Sequence, residues 1–255
     1  MRARSEASTH MSYNGRVGAA REHVKLALRR ALLTADLDLG RTPFVRRVAQ
    51  TLASRGIDTV VDVGANVGQY AAMVRAAGFA GRIVSLEPLP DAFGRLSRRM
   101  RSDDDWTGHR VAAGAQPGRA TIHVSANSYS SSLLPLTDLH LAADPASRTV
   151  RELEVEVVTI TGLVEQEGID PARALLKVDT QGFEAAVLDG ADDLLDAFAA
   201  IQLELSWAEL YTGQATGADL TERLERRGLD PWTWDAGISG ADGRLLQSDT
   251  LFVRR

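Results

Sequence analysis

The feature that most constrains this chain is a short apolar run at residues 59–63 that turns through Gly64-Ala-Asn66-Val-Gly68 into a helical pattern over residues 68–77. A second apolar run, 82–87, and a second helical pattern, 91–101, follow it. Strands joined through helices run parallel, because each crossover returns the chain to the same end of the sheet. The spacing therefore predicts an α/β fold around a parallel sheet. With 255 residues, of which 44% are hydrophobic, the chain has the material for one such domain and a short extension.

Residues 106–113 are expected as a third strand, joined by a hairpin through 116–118 to 119–125, where Ala120, Ile122 and Val124 alternate with polar neighbours. Residues 127–145 are rich in Ser, Asn and Pro without a clear period and read as a long loop. Beyond it, 151–160 alternates again, 162–167 fits a short helix, and 174–178 is an apolar run of buried-strand character ending at Asp179. A helix over 183–198, a strand at 201–205 and a broadly helical 207–227 with room for a break at 212–217 come next, before a final antiparallel pair, 231–234 with 245–254.

The chain contains no cysteine, which excludes disulfides, thiolate zinc sites, iron–sulfur clusters and a cysteine nucleophile. No apolar run is long enough to span a bilayer, and the start, MRARSEASTHMSYNGR, lacks the apolar core of a secretory signal. A cytoplasmic location is the expectation. Residues 1–50 hold ten Lys/Arg against four Asp/Glu, the remainder nineteen against thirty. Within the basic part, Arg21, Lys25, Arg29 and Arg30 interleave with Val24, Leu28, Ala31 and Leu32, as on a basic amphipathic helix over 21–34. Its basic face suits solvent first and anionic lipid or a phosphorylated substrate second. Residues 1–56 are set apart accordingly as a basic helical extension or lid, and 57–255 as the domain. An acidic body with 5% aromatic residues leaves little for nucleic acid to stack on.

The turn itself narrows the ligand. Asp62-Val-Gly64-Ala-Asn66-Val-Gly68 sits where doubly wound sheets bind nucleotide-like groups. A dinucleotide fingerprint needs Gly-x-Gly-x-x-Gly, whereas Asn66 replaces the second glycine here and Gln69 the third. The next strand ends in Glu87-Pro88, about twenty residues on, where a carboxylate can accept hydrogen bonds from ribose hydroxyls. An adenosyl group without a pyrophosphate satisfies both features.

VVDVGANVGQY, the strand ending LEP, and LLKVDTQGFEAAVLDGA followed by IQLELS together resemble the FkbM family of S-adenosylmethionine-dependent methyltransferases over residues 57–205. The resemblance implies a Rossmann-like, doubly wound class I methyltransferase fold with a mostly parallel seven-stranded sheet and an antiparallel C-terminal strand. It places Gly64, Asn66 and Gly68 around the methionine part of S-adenosyl-L-methionine and Glu87 on the ribose, with Asp62 and Pro88 beside them. The family's serine-rich loop corresponds to 130–132, which adds Ser131 to the cofactor-binding candidates. Where the family commonly has Thr-Leu-Asp, this chain has Thr159-Ile160-Thr161, and no acid is assigned there.

Methyl transfer to a hydroxyl needs an oxygen in line with the methyl–sulfur bond and a route for its proton. Asp179 follows an apolar strand and so shares a sheet edge with Gly64 and Glu87, and Glu204 stands near the end of the next strand. These two are the candidate base and the candidate oxygen ligands for Mg²⁺. Lys177, two residues before Asp179, reads as a neutralising partner, Gly182 as the tight strand-to-helix passage, and Glu184 as a first-turn acid. The five histidines show no metal-ligand spacing, and His140, the one candidate among them for a base, reads first as a solvated loop residue. Trp207, Tyr211, Trp232 and Trp234 are candidates for an acceptor pocket. The acceptor expected is a small molecule bearing a hydroxyl, such as a sugar of a glycolipid or of a glycosylated natural product. Rival readings are a nicotinamide oxidoreductase, disfavoured by the missing glycines, an N-methyltransferase, and a non-catalytic module of the same fold.

Overall fold

The computed structural model describes residues 41–255 except positions 128 and 241, and the basic helix expected over 21–34 lies outside the described residues. Helix α1 (Arg41–Arg55) leads into β1 (Thr59–Val63), α2 (Gln69–Ala76), β2 (Arg82–Leu86), α3 (Pro90–Met100) and β3 (Trp106–His109). Next come β4 (Ala112–Ala113), β5 (Gly118–Ser125), α4 (Asp138–Ala143) and β6 (Thr149–Val158). The chain continues through α5 (Ile160–Glu167), β7 (Ala174–Val178), α6 (Glu184–Asp189), β8 (Ala200–Ser206), α7 (Gly217–Arg226), β9 (Leu229–Ala236) and β10 (Gln247–Arg254).

Seven strands form one sheet in the order β3-β2-β1-β7-β8-β10-β9. β1 runs parallel to β2 and β7, and β7 to β8, whereas β10 is antiparallel to both β8 and β9. The chain leaves β1 on one side toward β2 and β3 and returns on its other side as β7. The carboxyl ends of β1 and β7 therefore flank a topological switch point, where a crevice opens. β1, β2, β7 and β8 bury nearly every residue, as strands covered on both faces must. Alternate side chains feed two cores. Val61, Val63, Val84 and Leu176 enter one, and Val60, Ile83, Leu175 and Leu251 the other, which α1 closes with Phe44, Val48 and Leu52.

Three expectations are corrected. Residues 106–113 are not one strand with a hairpin to 119–125: β3 pairs with β2, while β4 and β5 pair with β6 in a separate three-stranded sheet. The reason lies in the two alternating strands, whose Ile122, Val124, Val155 and Val157 bury one shared face with Leu89 and Ala92 at the start of α3. The helix expected over 183–198 stops at Asp189 and resumes only as a 3-10 turn. At Gly190 a Cβ would lie 2.1 Å from the Gly114 carbonyl oxygen, so two backbones meet where a continuous helix would pass. Residues 207–216 are likewise not helical, and α7 begins only at the capping box formed by Thr216 and Asp219.

Candidate active site

β1 and β7 end in register, Val63 opposite Val178, so Gly64 and Asp179 leave the sheet side by side. The Asp179 N–H donates to the Val63 carbonyl at 3.1 Å. Gly64 has φ 76°, and a Cβ there would stand 1.9 Å from the Asp179 carbonyl oxygen. At Gly68, φ 83°, a Cβ would meet the Trp106 ring at 2.8 Å and Leu96 at 2.9 Å. Both glycines are therefore demanded by the protein's own packing as well as by left-handed backbone. A ligand close to this turn meets backbone groups and the side chains that flank them.

Those backbone donors are already spoken for. The N–H groups of Gly64 and Ala65 donate to the Leu86 carbonyl, that of Gly68 to Ala65, and that of Asn66 to Glu87 Oε2 at 2.9 Å. A pyrophosphate, which needs several free N–H groups at a helix start, is poorly served. Glu87 also accepts from the Leu89 N–H at 2.8 Å, and Pro88, which has no N–H, forms the corner between them. Burial pushes the Glu87 carboxyl up to about 7 against those two hydrogen bonds. Its remaining lone pairs suit hydroxyl donors, so the residues present fit a ribose.

Beneath the turn, Asp62 is wholly buried and pairs with Lys177 Nζ at 3.1 Å. The same ammonium lies 3.4 Å from Asp179 and 3.5 Å from the Gly64 carbonyl oxygen. Burial pulls the ammonium down, but Asp62 and Asp179 outweigh it and hold it above its ordinary value. Burial likewise raises the Asp62 carboxyl although Lys177 opposes it. Lys177 thus neutralises carboxylates, and Asp62 reaches a cofactor only through the lysine and turn that it braces.

Asp179 and Glu204 converge, as their strand-end positions implied, but they meet through a third residue. Gln181 Nε2 donates to Asp179 Oδ1 and to Glu204 Oε2, both at 2.8 Å, and Gln247 Nε2 donates to the same Glu204 oxygen at 2.8 Å. The Gln181 side-chain amide is turned by the Tyr211 hydroxyl, which donates to its Oε1 at 2.8 Å, and the Gln181 backbone carbonyl accepts from the Ser132 hydroxyl at 2.7 Å. Gln181 itself sits at φ 58°, rare for a side-chain-bearing residue and costing about 1 kcal/mol or more. Glu184 secures this turn by accepting from the N–H groups of Thr180 and Gly182 at 2.9 and 3.2 Å, and burial pushes its carboxyl up to about 7. Desolvation, with Asp179, Asp249 and Glu184 nearby, raises Glu204 well above the usual carboxylate range.

The pair does not fit Mg²⁺. The Gln181 amide, whose Nε2 donates to both carboxylates, fills the gap between them that a cation would need. Among the described residues no group of three His, Cys, Asp or Glu side chains stands together as ligands. Of the serines, Ser132 reaches the cluster, while Ser131 Oγ turns to accept from the Ser125 N–H at 3.0 Å. His140 is not a solvated loop residue: α4 carries it inward, 2% exposed, with its ring edge-on to Tyr211 at 5.0 Å. Of the aromatic candidates only Tyr211 enters the cluster. Trp232 and Trp234 stand 55% and 66% exposed on the edge strand β9. The letters of Asp179-Thr-Gln181-Gly-Phe-Glu184 hold the signal for Gln181 and Glu184, but which side chains they meet depends on β8 and on residues 207–211.

The sequence matches the model of the methyltransferase FkbM domain over residues 62–230, well over half of the chain. No curated protein matches it in sequence. Among solved structures, it is similar to magnesium protoporphyrin IX methyltransferase from Synechocystis PCC 6803 with bound SAM, at 12% identity and TM-score 0.45 over 85% of this chain and 81% of that one. It is also similar to an rRNA methylase from Streptococcus thermophilus, at 12% identity and TM-score 0.43 over 81% and 93%. A 1,6-didemethyltoxoflavin-N1-methyltransferase from Burkholderia thailandensis shows 11% identity and TM-score 0.41 over 91% and 89%. Likenesses this distant decide neither acceptor nor mechanism. The FkbM match, however, spans the Gly64–Gly68 turn, the Glu87 strand end and the Asp179–Gln181–Glu204 cluster together, and this chain belongs to the FkbM methyltransferase family.

Proposed function

We propose that the chain transfers the methyl group of S-adenosyl-L-methionine to a hydroxyl oxygen of a small acceptor, a sugar of a glycolipid or glycosylated natural product being the class favoured. The observation that carries this reading is that one amide, Gln181, holds two carboxylates at the same sheet edge as Glu87 and the Gly64–Gly68 turn. When bound, S-adenosylmethionine supplies a methyl group on a sulfonium centre. Glu87 would take the ribose hydroxyls, and the turn at 64–68 would border the methionine part.

A sugar hydroxyl is a weak acid, so its oxygen needs both placement and a proton acceptor. Asp179 is the proposed base: its side chain is about one-third exposed, and Lys177 and Gln181 fix its two oxygens. Glu204, favoured in its protonated form, acts as a hydrogen-bonding neighbour rather than a second base. No step passes through a metal. The basic composition of residues 1–56 favours lipid-linked or anionic acceptors in this proposal, a preference that removal of residues 1–40 would abolish.

Calorimetric titration with S-adenosylmethionine, with NADH as control, tests the cofactor, and transfer of labelled methyl to a panel of glycosides tests the acceptor. Asp179→Asn should leave cofactor affinity within about twofold and lower turnover by about a hundredfold or more. Undiminished turnover in that variant would favour an amine acceptor, and binding of NADH alone would overturn the methyltransferase reading. Chelation should leave turnover unchanged.

A further inference from the structure

Two tryptophans stand in water on β9, the outermost strand of the large sheet. Trp232 and Trp234 are each more than half exposed, although an indole is the largest apolar group a chain can leave uncovered. Side chains of α1 flank them. The Arg55 guanidinium lies over the Trp232 ring, 5.3 Å from its centroid, and Arg47 donates to the Trp234 carbonyl at 3.1 Å and to the Thr233 hydroxyl at 2.7 Å. Cations and indoles thus alternate along this edge of the sheet.

The edge is closed to a further strand. Trp232 is the extra residue of a bulge opposite Leu251 and Phe252, Pro231 has no N–H, and Arg47 occupies the Trp234 carbonyl. The charge around it points to a different partner. α1 carries Arg41, Arg46, Arg47 and Arg55 and no acid. β9 has two acids, Asp230 and Asp235, of which Asp230 is paired with Arg255 at 2.7 Å. The forty residues ahead of α1 add seven Lys/Arg against four Asp/Glu, whereas residues 56–255 hold eighteen against thirty. An anionic surface is attracted by α1 and the segment before it and repelled by the acidic remainder, which fixes the side from which it approaches.

We infer that the β9 edge and α1 form a peripheral docking surface for an anionic phospholipid bilayer, with Trp232 and Trp234 seated at headgroup depth beside Arg47 and Arg55. An indole, apolar with a single N–H, partitions to that depth, and a guanidinium pairs with phosphate oxygens through its planar fork. The basic segment ahead of α1 adds attraction that needs charge rather than shape. Trp234 lies opposite Thr250, three residues along β10 from Gln247, whose amide reaches Glu204. Docking by this edge therefore brings the carboxyl ends of the strands toward the lipid surface. The inference does not depend on which acceptor is methylated.

The test sediments the full chain with vesicles of phosphatidylcholine alone and of phosphatidylcholine with about one-third phosphatidylglycerol. Binding should be about tenfold or more tighter to the second and should weaken as ionic strength rises from about 0.05 to about 0.5 M. Trp232→Ser/Trp234→Ser, both at exposed positions, should melt within about 2 °C of wild type and lose about tenfold or more in vesicle binding. Arg55→Glu should lose about threefold or more. In the wild type, tryptophan emission should be quenched by acyl chains brominated close to the headgroup, and the double variant, which keeps Trp106 and Trp207, should not show that quenching. Failure of the wild type to bind anionic vesicles, equal binding to both vesicles, or an unquenched wild type overturns the inference. So does unchanged binding by the folded double variant. A wild type that ignores vesicles but forms a dimer lost in the double variant would make this edge a contact between copies instead.

Discussion

Replacing Lys177 by methionine would remove the ammonium while keeping most of the stem. Its Nζ stands 3.1 Å from Asp62 and 3.4 Å from Asp179, and both Lys177 and Asp62 are almost entirely buried. With an effective dielectric of about 20, a pair at the shorter distance attracts by about 5 kcal/mol. Desolvation of the two ions offsets most of that, so the intact pair adds little net stability. Removing one partner is another matter. Asp62 remains in the core without a countercharge, a defect of about 3–5 kcal/mol. At about 2–4 °C per kcal/mol for a domain of this size, the melting temperature should fall by about 6–20 °C near neutral pH.

The sign of the pH dependence follows. Burial already raises the folded-state value of Asp62, and without Lys177 it rises further. A carboxyl whose folded value lies above its unfolded value contributes most below the unfolded value and loses that contribution as pH rises through the folded one. The deficit of Lys177→Met relative to wild type should therefore shrink as pH falls from neutral toward about 4. Adding Asp62→Asn removes the orphaned charge and should restore much of the loss. Thermal scans and urea titrations across this range supply the assay. A single variant melting within about 2 °C of wild type, or a deficit independent of pH, would refute the account.

Glu184, pushed up to about 7 by burial, should make stability fall as pH rises from about 4.5 to about 7, and Glu184→Gln should flatten that slope in urea titrations. An unchanged slope would assign the pH dependence elsewhere. Tyr211→Phe removes the donor that orients Gln181 and should cost about 1 kcal/mol in stability and about tenfold in turnover by a labelled-methyl assay. Gly64→Ala would set a methyl 1.9 Å from a carbonyl oxygen at positive φ and should lose more than about 4 kcal/mol, so a soluble variant melting like wild type would contradict the packing described. Because Glu87 is held at about 7 and hydroxyl donors favour its charged form, S-adenosylmethionine affinity should weaken below about pH 7, by up to tenfold per unit. Flat affinity across that range would remove Glu87 from the ribose.

The elements whose information is local were legible from the residues alone. Apolar runs bounded by glycine or acid placed β1 and β7 to the residue, and β2 with its terminal Glu87 within one. The order of strands and helices was enough to make the sheet parallel and to bring Gly64, Glu87 and Asp179 to one edge, since that edge follows from chain direction. What the residues alone did not determine is who meets whom across long separations. The alternation of 119–125 and 151–160 announced two half-buried strands, but only packing over α3 paired them with each other. Gln181 appears in sequence as one polar letter in a turn. It becomes the bridge between two carboxylates because β8 lies beside β7 and because residues 207–211 abandon helix to carry Tyr211 to its amide. His140 passed for a loop residue because periodicity cannot register a six-residue helix pinned at both ends by distant carbonyls and an amide. Hydrophobic period is a property of neighbours along the chain, whereas the hydrogen bonds that bring the site's elements together join residues from 21 to more than 100 positions apart, and only the folded chain selects those partners.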